Sequence, residues 1–269
     1  MSYIALNTAA TGLSALSTSL DVTANNLANA NTTAFKSSRV NFEDVYYQEM
    51  AQPGLAAGTD AQRPTGLYVG LGVQAAGTQL YFSQGATETT GNPFDLLIEG
   101  DGFFEVQLPD DFAEGRGFTR AGNFTLNKDG ELVMASSSGF RLKVDFTIPP
   151  EATDVSVGVD GTVTAVLPPA TTPTELGQIT LTRFINPAGL ESQGNNIYTM
   201  TEASGDPLES NPGEQGAGFL RQGALEASNV DPVTELVSLI KTQRVFEMNS
   251  QVIQAANETL RNISNIRGY

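Results

Sequence analysis

The chain has 269 residues, of which 40% are hydrophobic and 16% are charged, and its formal net charge is −16. This composition is typical of a globular protein that is long enough to bury a core in one large domain or a few small ones. There is no Cys, His or Trp, which excludes disulfide frameworks, thiol sites, imidazole metal ligands and a Ser-His-Asp triad.

The first predicted element is an amphipathic helix within residues 1–35. Apolar residues recur there at spacings of three, four and seven, at Leu6, Ala9, Leu13, Leu16, Leu20 and Leu27. This is the a/d seam of a coiled coil, interrupted by Thr23. Because the stretch has few charged residues, an isolated helix would be marginal in water, and we expect the seam to pack against a partner.

Asparagines crowd the end of this helix, at Asn25, Asn26, Asn29 and Asn31. Asparagine is a mediocre helix former that is common in caps and turns. One cap needs one asparagine, so the presence of four indicates an additional role.

Residues 36–77 are predicted to be a linking segment followed by an arm. The part from 46 to 77 is rich in Gly, Ala and Gln and has no clear period. It predicts either a disordered loop or an extended arm that neighbouring molecules order. Its Gly70-x-Gly72 pair lacks the third glycine and the following helix that a phosphate-binding loop requires.

Residues 78–218 are predicted to form a β-rich outer domain. Short apolar runs alternate there with turn signals, and Asp129-Gly130 and Asp160-Gly161 each stand between two strand-like runs and predict hairpins. Asn127, Asp129 and Glu131 suggest calcium, but a hairpin turn explains them better because a calcium loop needs oxygen ligands over about 12 residues.

Carboxylates near the first strands of this domain are the other chemical candidates. Glu99, Asp101 and Glu105 resemble a glycosidase acid pair in composition. Carboxylates at strand ends of an acidic protein are usually solvated, and this interpretation is favoured.

After a return linker, 219–229, a second long helix is predicted over residues 230–269. Asp231 is placed to cap it and Pro232 to begin it. Apolar residues that are mostly four apart form a stripe at Leu236, Ile240, Met248, Val252, Ala256, Leu260 and Ile263. Its length favours a coiled coil. We therefore predict an α+β fold, in which the two terminal helices pair as one discontinuous domain.

The charge is unevenly distributed along the chain. Residues 1–44 and 233–269 together contain six acidic and six basic residues, so the whole net charge of −16 lies in residues 45–232. Neutral ends can pack against copies of themselves, whereas an acidic middle repels nucleic acid. No apolar run approaches the roughly 20 residues that span a bilayer, and the first basic residue is Lys36, so no signal-type basic segment precedes it. We expect neither nucleic-acid binding nor membrane insertion.

Several motifs, in order, resemble those of bacterial flagellar rod and hook proteins. "NNLANANTTAFK", residues 25–36, resembles the amino-terminal signature, with Ala34 where the family usually has Gly. "SNVDPVTELVSLIKTQRVFEMNSQVI", residues 228–253, resembles the other terminal signature, with Phe246 where Tyr is common. "GDGFFEV" and "FTRAGNFTLNKDGELV" resemble motifs of the shared β domain.

The resemblance implies a structural subunit with no catalytic residue, metal or cofactor. Copies would polymerise into a stiff hollow helical shaft that transmits torque and crosses the periplasm toward the outer membrane. Export would use a narrow channel, without a cleaved signal peptide. The implied partners are further copies, proximal rod proteins, the hook protein and the surrounding P and L rings.

The resemblance also implies where the subunits touch. The asparagines would satisfy backbone groups of the same or a neighbouring subunit. The expected packing residues are Leu6, Leu13, Leu16, Leu20, Asn25, Asn26, Leu27, Asn29, Phe35, Leu236, Ile240, Arg244, Met248, Asn249, Val252, Leu260 and Ile263. The arm would stiffen the shaft through the anchors Tyr46, Tyr47, Leu55, Leu67 and Tyr68.

Two hypotheses of other classes remain. A surface adhesin or glycan-binding β protein could be anchored by a terminal coiled coil, and a hydrolase could use the paired carboxylates. Neither requires two matched helices at the ends of the chain.

Overall fold

The chain divides into two compact units. The computed structural model describes residues 2–53, 65–109, 115–168 and 172–266. The helical unit comprises Met1–Ala28, Ser38–Leu80 and Asp231–Tyr269. The β unit comprises Asn29–Ser37 and Tyr81–Val230. The predicted α+β class, with a helix near each terminus and a mostly β middle, is confirmed.

Helix α1 spans Ser2–Ala28, so it ends seven residues before the predicted end at residue 35. Asn29 begins a turn instead: its carbonyl accepts the N–H of Thr32 (3.1 Å) and its Oδ1 accepts the Thr32 hydroxyl (3.0 Å). Ala34 then adopts a left-handed φ of 56°, which glycine tolerates better than alanine. Short polar side chains that bond the local backbone favour this turn over a longer helix.

Helix α2 spans Pro232–Ile266, and its predicted cap is confirmed. Oδ1 of Asp231 accepts the N–H of Val233 (3.1 Å), and Oδ2 accepts the hydroxyl of Thr234 (2.6 Å). The hydroxyl bond from Thr234 is the main cause that lowers the pKa of Asp231. Proline fits the first helical position because its missing N–H would have no partner there.

A long antiparallel ribbon completes the helical unit. Its pairs are β1 (Ser38–Asp44) with β4 (Val73–Leu80), and β2 (Tyr47–Ala51) with β3 (Leu67–Gly70). Two backbone bonds join the pairs, from Val45 N–H to Gly72 O (2.9 Å) and from Leu71 N–H to Tyr46 O (3.1 Å). Helix α1 packs against α2, β1 and β4.

The sequence predicted a linking segment and an extended arm over residues 36–77, without the strand pairing that the ribbon adds. The described residues from 38 to 51 and from 67 to 80 are mostly paired strands of the helical unit. The pattern of alternating apolar residues is absent because both faces of β2 and the first half of β3 are exposed, so neither face requires apolar side chains. The predicted anchor Leu55 lies outside the described residues.

The β unit is built from short antiparallel strands. In chain order they are β5 (Thr87–Thr89), β6 (Leu96–Glu99), β7 (Phe104–Gln107), β8 (Arg116–Thr119), β9 (Phe124–Leu126), β10 (Leu132–Met134), β11 (Arg141–Leu142), β12 (Asp154–Val157), β13 (Thr162–Val166), β14 (Thr174–Gln178), β15 (Leu181–Arg183), β16 (Glu191–Gly194), β17 (Ile197–Thr199), β18 (Leu208–Ser210), β19 (Phe219–Gln222) and β20 (Ala224–Glu226). The largest sheet has the order β16-β17-β8-β7-β11-β10-β9, and a second has the order β12-β13-β14. Three strand pairs complete the unit: β15-β18, β19-β6 and β20-β5.

Both predicted Asp-Gly hairpins are confirmed. β9 pairs with β10 across Asp129-Gly130, and β12 pairs with β13 across Asp160-Gly161. The two glycines have φ values of 77° and 85°, which side chains with a Cβ rarely adopt.

The core of the β unit is apolar and aromatic. Phe104, Phe118 and Phe124 are almost fully buried. The rings of Phe104 and Phe124 meet edge to face with centroids 5.2 Å apart, and those of Phe118 and Phe184 do so at 4.7 Å. Such edge-to-face contacts match the positive edge of one ring to the negative face of the other.

Candidate assembly surface

Helix α2 exposes a row of large apolar side chains on one side. They are between 44 and 70% exposed: Val233, Leu236, Val237, Ile240, Met248 and Val252. Their spacing of mostly three or four residues places them along one side of the helix. The row is interrupted by the exposed Arg244 between Ile240 and Met248. Exposed apolar patches mark interaction sites in soluble proteins. We call this row the outer stripe.

In the single chain the predicted packing residues Leu236, Ile240, Met248 and Val252 are exposed, and their packing between subunits stays a prediction. Ala256 and Leu260 are partly buried, Arg244 is exposed, and the side chain of Ile263 lies outside the described part of the chain. The inward side of α2 is mixed in polarity instead. It consists of Glu235, Leu239, Thr242, Val245, Asn249 and Ile253, all partly or fully buried.

Helix α1 buries small and polar residues more completely than its leucines. The buried positions are Ala9, Gly12, Ala15, Thr23 and Asn26. The predicted packing leucines are only partly buried: Leu6, Leu13, Leu16, Leu20 and Leu27. The a/d assignment placed the leucines at the centre of the inward side of α1. Small side chains, which allow close approach, occupy that position instead. The leucine edge keeps apolar surface available for a second partner.

Asn26 bonds two other parts of the helical unit. Its Nδ2 donates to the carbonyl of Ser38 (2.8 Å) and to Oε1 of Glu235 (3.3 Å), and its Oδ1 accepts the N–H of Ser38 (3.0 Å). Asn26 thus satisfies backbone groups of its own chain, at the start of β1. Asn29 bonds Thr32 in the turn, Asn25 is exposed, and Phe35 is partly buried.

The β2–β3 part of the ribbon, which we call the arm ribbon, presents aromatic and aliphatic side chains to solvent. The four described anchors, Tyr46, Tyr47, Leu67 and Tyr68, are between 51 and 88% exposed. The ring of Tyr47 lies beside Gly70, where a Cβ would be 3.4 Å from Cε1 of Tyr47. A hydrogen bond with Asp44 raises the pKa of the Tyr47 hydroxyl. A two-stranded ribbon exposed on both faces is marginal in water, which favours a partner.

A charge cluster buried in the β unit is absent from the predicted sites. Nζ of Lys36 lies 2.5 Å from Oε1 of Glu226, and Nη1 of Arg120 lies 3.3 Å from Oε2 of Glu226. The three side chains are at most 3% exposed. Burial lowers the pKa of the Lys36 ammonium, against the opposing effect of the Glu226 carboxylate. The available signal was Lys36 itself, which follows fourteen uncharged residues.

The carboxylates considered for catalysis are largely engaged in ion pairs. Both oxygens of Glu105 bind Arg116 (2.7 and 2.9 Å), and Lys143 lies 3.1 Å from Oε1. Glu99 pairs with Arg221 at 3.1 Å. These contacts give the two carboxylates a structural role within the sheets.

Asn127 shapes the turn that was weighed against a calcium loop. Its Oδ1 accepts the N–H groups of Asp129 (2.8 Å) and Glu131 (3.0 Å), and its Nδ2 donates to Glu131 Oε2 (2.7 Å). Within the part of the chain that the structure describes, no group of three or more acidic side chains is arranged to hold a metal ion. The helices described here are also not apolar enough over a sufficient length to cross a membrane.

Three stretches of the chain match known protein families. Residues 6–36 match the family described as "Flagella basal body rod protein". Residues 97–165 match "Flagellar hook protein FlgE/F/G D1 domain", and residues 221–266 match "Flagellar basal body rod FlgEFG protein C-terminal". The first and last ranges cover most of helices α1 and α2, and the middle range lies in the β unit.

Curated relatives are similar over nearly the whole chain. The flagellar basal-body rod protein FlgG of Buchnera aphidicola subsp. Schizaphis graminum is 41% identical over 95% of this chain and 96% of its own. FlgG of Caulobacter vibrioides is 40% identical over 98% and 99%. The flagellar basal-body rod protein FlgF of Caulobacter vibrioides is 34% identical over 90% and 89%.

Proposed function

The chain belongs to the family of bacterial flagellar basal-body rod proteins, and from this premise we propose that it polymerises into the distal part of the rod. There it would form a stiff hollow helical shaft that transmits torque from motor to hook. Family membership makes it a structural subunit of the basal-body rod and not an enzyme.

The observation that carries the proposal is the outer stripe. An apolar row on α2 and a half-buried leucine edge on α1 are different surfaces of the same helical unit. When two different surfaces of one subunit join, the contact is heterologous, and repetition without closure produces a helical filament. We propose that α1, α2 and the helices of adjacent copies form a coiled-coil layer around a central channel.

The arm ribbon supports assignment to the distal rod. The family resemblance associates an insertion after the first helix with the distal subunit and with stiffness. The exposed Tyr46, Tyr47, Leu67 and Tyr68 would lie on adjacent copies, each aromatic contributing about 1–2 kcal/mol of contact. The higher identity to FlgG than to FlgF agrees with this assignment, and a proximal rod subunit is the second candidate.

The remaining parts of the proposal follow from the family. In the basal body the shaft would cross the periplasm toward the outer membrane, after export through a narrow channel without a cleaved signal peptide. Its partners would be proximal rod proteins, the hook protein and the surrounding P and L rings.

The test is polymerisation of a variant with charges in the outer stripe, Ile240→Asp with Met248→Asp. Both positions are exposed in the single chain, so the monomer should keep its helical circular dichroism. Electron microscopy after incubation at high concentration should show tubes for the unmodified protein and none for the variant, because two unpaired carboxylates would be buried in each contact.

The matched control is Gln243→Asp with Asn257→Asp, which adds the same charge at exposed polar positions of α2. This control should still form tubes. Normal tubes from the stripe variant would remove the outer stripe from the assembly contact.

A further inference from the structure

The buried charge cluster stands where three distant stretches of the β unit meet. Lys36 and Glu226 are 190 positions apart in sequence, and Arg120 and Glu226 are 106 apart. Residues 29–37 and 81–230 are the two parts of the chain that form the β unit. Lys36 therefore lies where the chain leaves the first part, and Glu226 lies close to where it leaves the second.

Backbone bonds join the same stretches around the cluster. The N–H of Ala34 donates to the carbonyl of Glu226 (2.8 Å), and the N–H of Asn229 donates to the carbonyl of Phe35 (3.2 Å). The side chain of Asn229 adds further bonds, and among them it accepts the N–H of Ser37 (2.7 Å) and donates to the carbonyl of Tyr81 (2.8 Å). These bonds hold together three stretches of the chain, residues 34–37, 81–85 and 226–229.

Polar groups of the backbone complete the coordination of the three charges. Lys36 Nζ also donates to the carbonyl of Ser83 (2.8 Å), and the N–H of Gly85 donates to Glu226 Oε1 (2.8 Å). The Arg120 guanidinium donates to the carbonyls of Gly102 (2.9 Å) and Gly100. Two cations and one carboxylate leave an excess positive charge in the interior, which these carbonyl dipoles partly offset.

Such a cluster is a poor source of raw stability. The desolvation of buried ions often cancels their attraction, and apolar side chains of the same volume stabilise as well or better. A buried ion pair does, however, penalise any arrangement in which one member loses its partner. A shift of one stretch relative to another would leave at least one of the three charges unpaired. The cluster is therefore suited to selecting a register.

The three charges of the cluster lie in the three ranges of the chain that match protein families, one in each. Lys36 is the last residue of the first matched range, Arg120 lies in the second and Glu226 in the third. Each matched stretch thus contributes one charge to a single buried site.

We propose that Lys36, Arg120 and Glu226 form a latch that closes the β unit in one register where the chain enters and leaves it. Glu226 is the positioning residue that holds the two cations and, through them, the three stretches. When its charge is removed, this end of the unit opens locally while the sheets remain folded. The inference concerns the single chain and does not depend on polymerisation.

Hydrogen exchange of the full-length monomer at neutral pH tests the latch with Glu226→Gln. Glutamine keeps the shape and an acceptor oxygen but not the charge. The informative amides are those of Ala34 and Asn229, because their acceptors are backbone carbonyls that the substitution leaves in place. We expect them to exchange at least about tenfold faster, a factor that corresponds to about 1.4 kcal/mol. Amides of β7 and β8 should keep their rates.

The matched control is Glu99→Gln, which removes the same charge from an exposed pair with Arg221 and should change none of these rates. Unchanged exchange at Ala34 and Asn229 in Glu226→Gln would overturn the latch. Equal acceleration in β7 and β8 would also overturn it, because Glu226 would then be an ordinary core residue.

A second variant covers the case in which Glu226→Gln does not fold. Lys36→Met removes one cation and leaves the pair of Arg120 with Glu226. It should accelerate exchange at Ala34 and Asn229, with β7 and β8 unchanged. The same two outcomes, no local effect or a uniform one, would contradict the proposal.

Discussion

Gly12 of α1 lies directly against the side-chain amide of Asn249 in α2: a Cβ built on Gly12 would be 2.8 Å from Nδ2 of Asn249. Gly12 is buried, and no atom of a side chain is needed there for the helices to meet. The contact explains why asparagine occupies an inward position of α2, since its amide fills the space that a glycine leaves.

Substitutions at Gly12 should distinguish a small clash, which rotation of the Asn249 amide can relieve, from a large one, which it cannot. Gly12→Ala should be nearly neutral, because the Asn249 amide can rotate away and alanine gains up to about 1 kcal/mol of helix propensity. Gly12→Leu should destabilise the helical unit by about 1–3 kcal/mol through overpacking. Urea unfolding followed by helical circular dichroism measures both.

Gly77→Ala is the control for Gly12, because a Cβ at Gly77 meets no heavy atom within 4 Å. If Gly12→Leu unfolds at the same urea concentration as the unmodified chain, close approach at Gly12 does not hold the helices together.

Glu226 and Lys36 should contribute unequally to the local stability of the end of the β unit where the three charges meet. Glu226→Gln leaves two buried cations without a counter-charge and should cost about 3–5 kcal/mol. Lys36→Met leaves one cation paired with one carboxylate, and it also removes a buried ammonium whose lowered pKa shows that burial disfavours its charge. Its cost should be under about 2 kcal/mol. The exchange rates of the Ala34 and Asn229 amides in the two variants give the comparison, because the sheets remain folded.

The surface variant Glu99→Gln should change this stability by less than about 1 kcal/mol, as exposed pairs usually do. A larger loss for Lys36→Met than for Glu226→Gln would show that the carboxylate is not the centre of the cluster.

Alkaline pH should destabilise the β unit through Tyr198. Burial, with a further contribution from the charge of Glu226, raises the pKa of Tyr198 from 10.0 to about 12. Between these values the unfolded chain has released this proton and the folded chain still holds it. The stabilising contribution of Tyr198 is therefore complete below pH 10 and is lost as the pH rises toward 12.

Ultraviolet titration of tyrosinate should show a late-titrating component that Tyr198→Phe reduces. In stability measurements the same variant should reduce the loss between pH 10 and 12. Tyr3→Phe, at an exposed position, should leave the late-titrating component in place. Titration of every tyrosine in one phase by the folded protein would contradict the shift.

The arm ribbon should stiffen assembled tubes without being needed to form them. A deletion of all residues 46–77 would remove more than half of β4, so the sharper variant replaces residues 48–69 by Asn-Gly. Tyr47 and Gly70 are paired across the ribbon, and a two-residue turn of this type closes such a pair. The monomer should unfold at an unchanged urea concentration, whereas tubes measured by electron microscopy should have a shorter persistence length.

Tyr68→Ser removes one exposed aromatic ring of the arm ribbon and should reduce tube stiffness by less than the deletion does. Tubes of the deletion variant that keep the full persistence length would leave the arm ribbon with no part in rigidity.

Local signals in the sequence predicted the parts of the fold that local chemistry determines. Asp231-Pro232 identified the start of α2, and the Asp129-Gly130 and Asp160-Gly161 turns identified two hairpins, because caps and tight turns depend on a few adjacent residues. Apolar spacing also identified the long helices.

The same spacing did not show what each side of a helix contacts. Leu236 and Ile240 lie on one side of α2, but periodicity cannot distinguish a side that faces α1 from one left for another molecule. The inward contacts of Gly12 and Thr23 carry no hydrophobic signal. Lys36 and Glu226 meet across 190 positions, a distance at which a single sequence gives no indication of pairing.

The chain closes the β unit with buried ion pairs between residues far apart in sequence. A disulfide is not available to it because it has no cysteine. The closure therefore needs no oxidant to form, no reductant to open and no isomerase to correct. When the β unit unfolds, no disulfide crosslinks the polypeptide, so the chain can be fully extended. The three charged side chains that close the unit all belong to the chain itself, so the closure can form again without a redox partner.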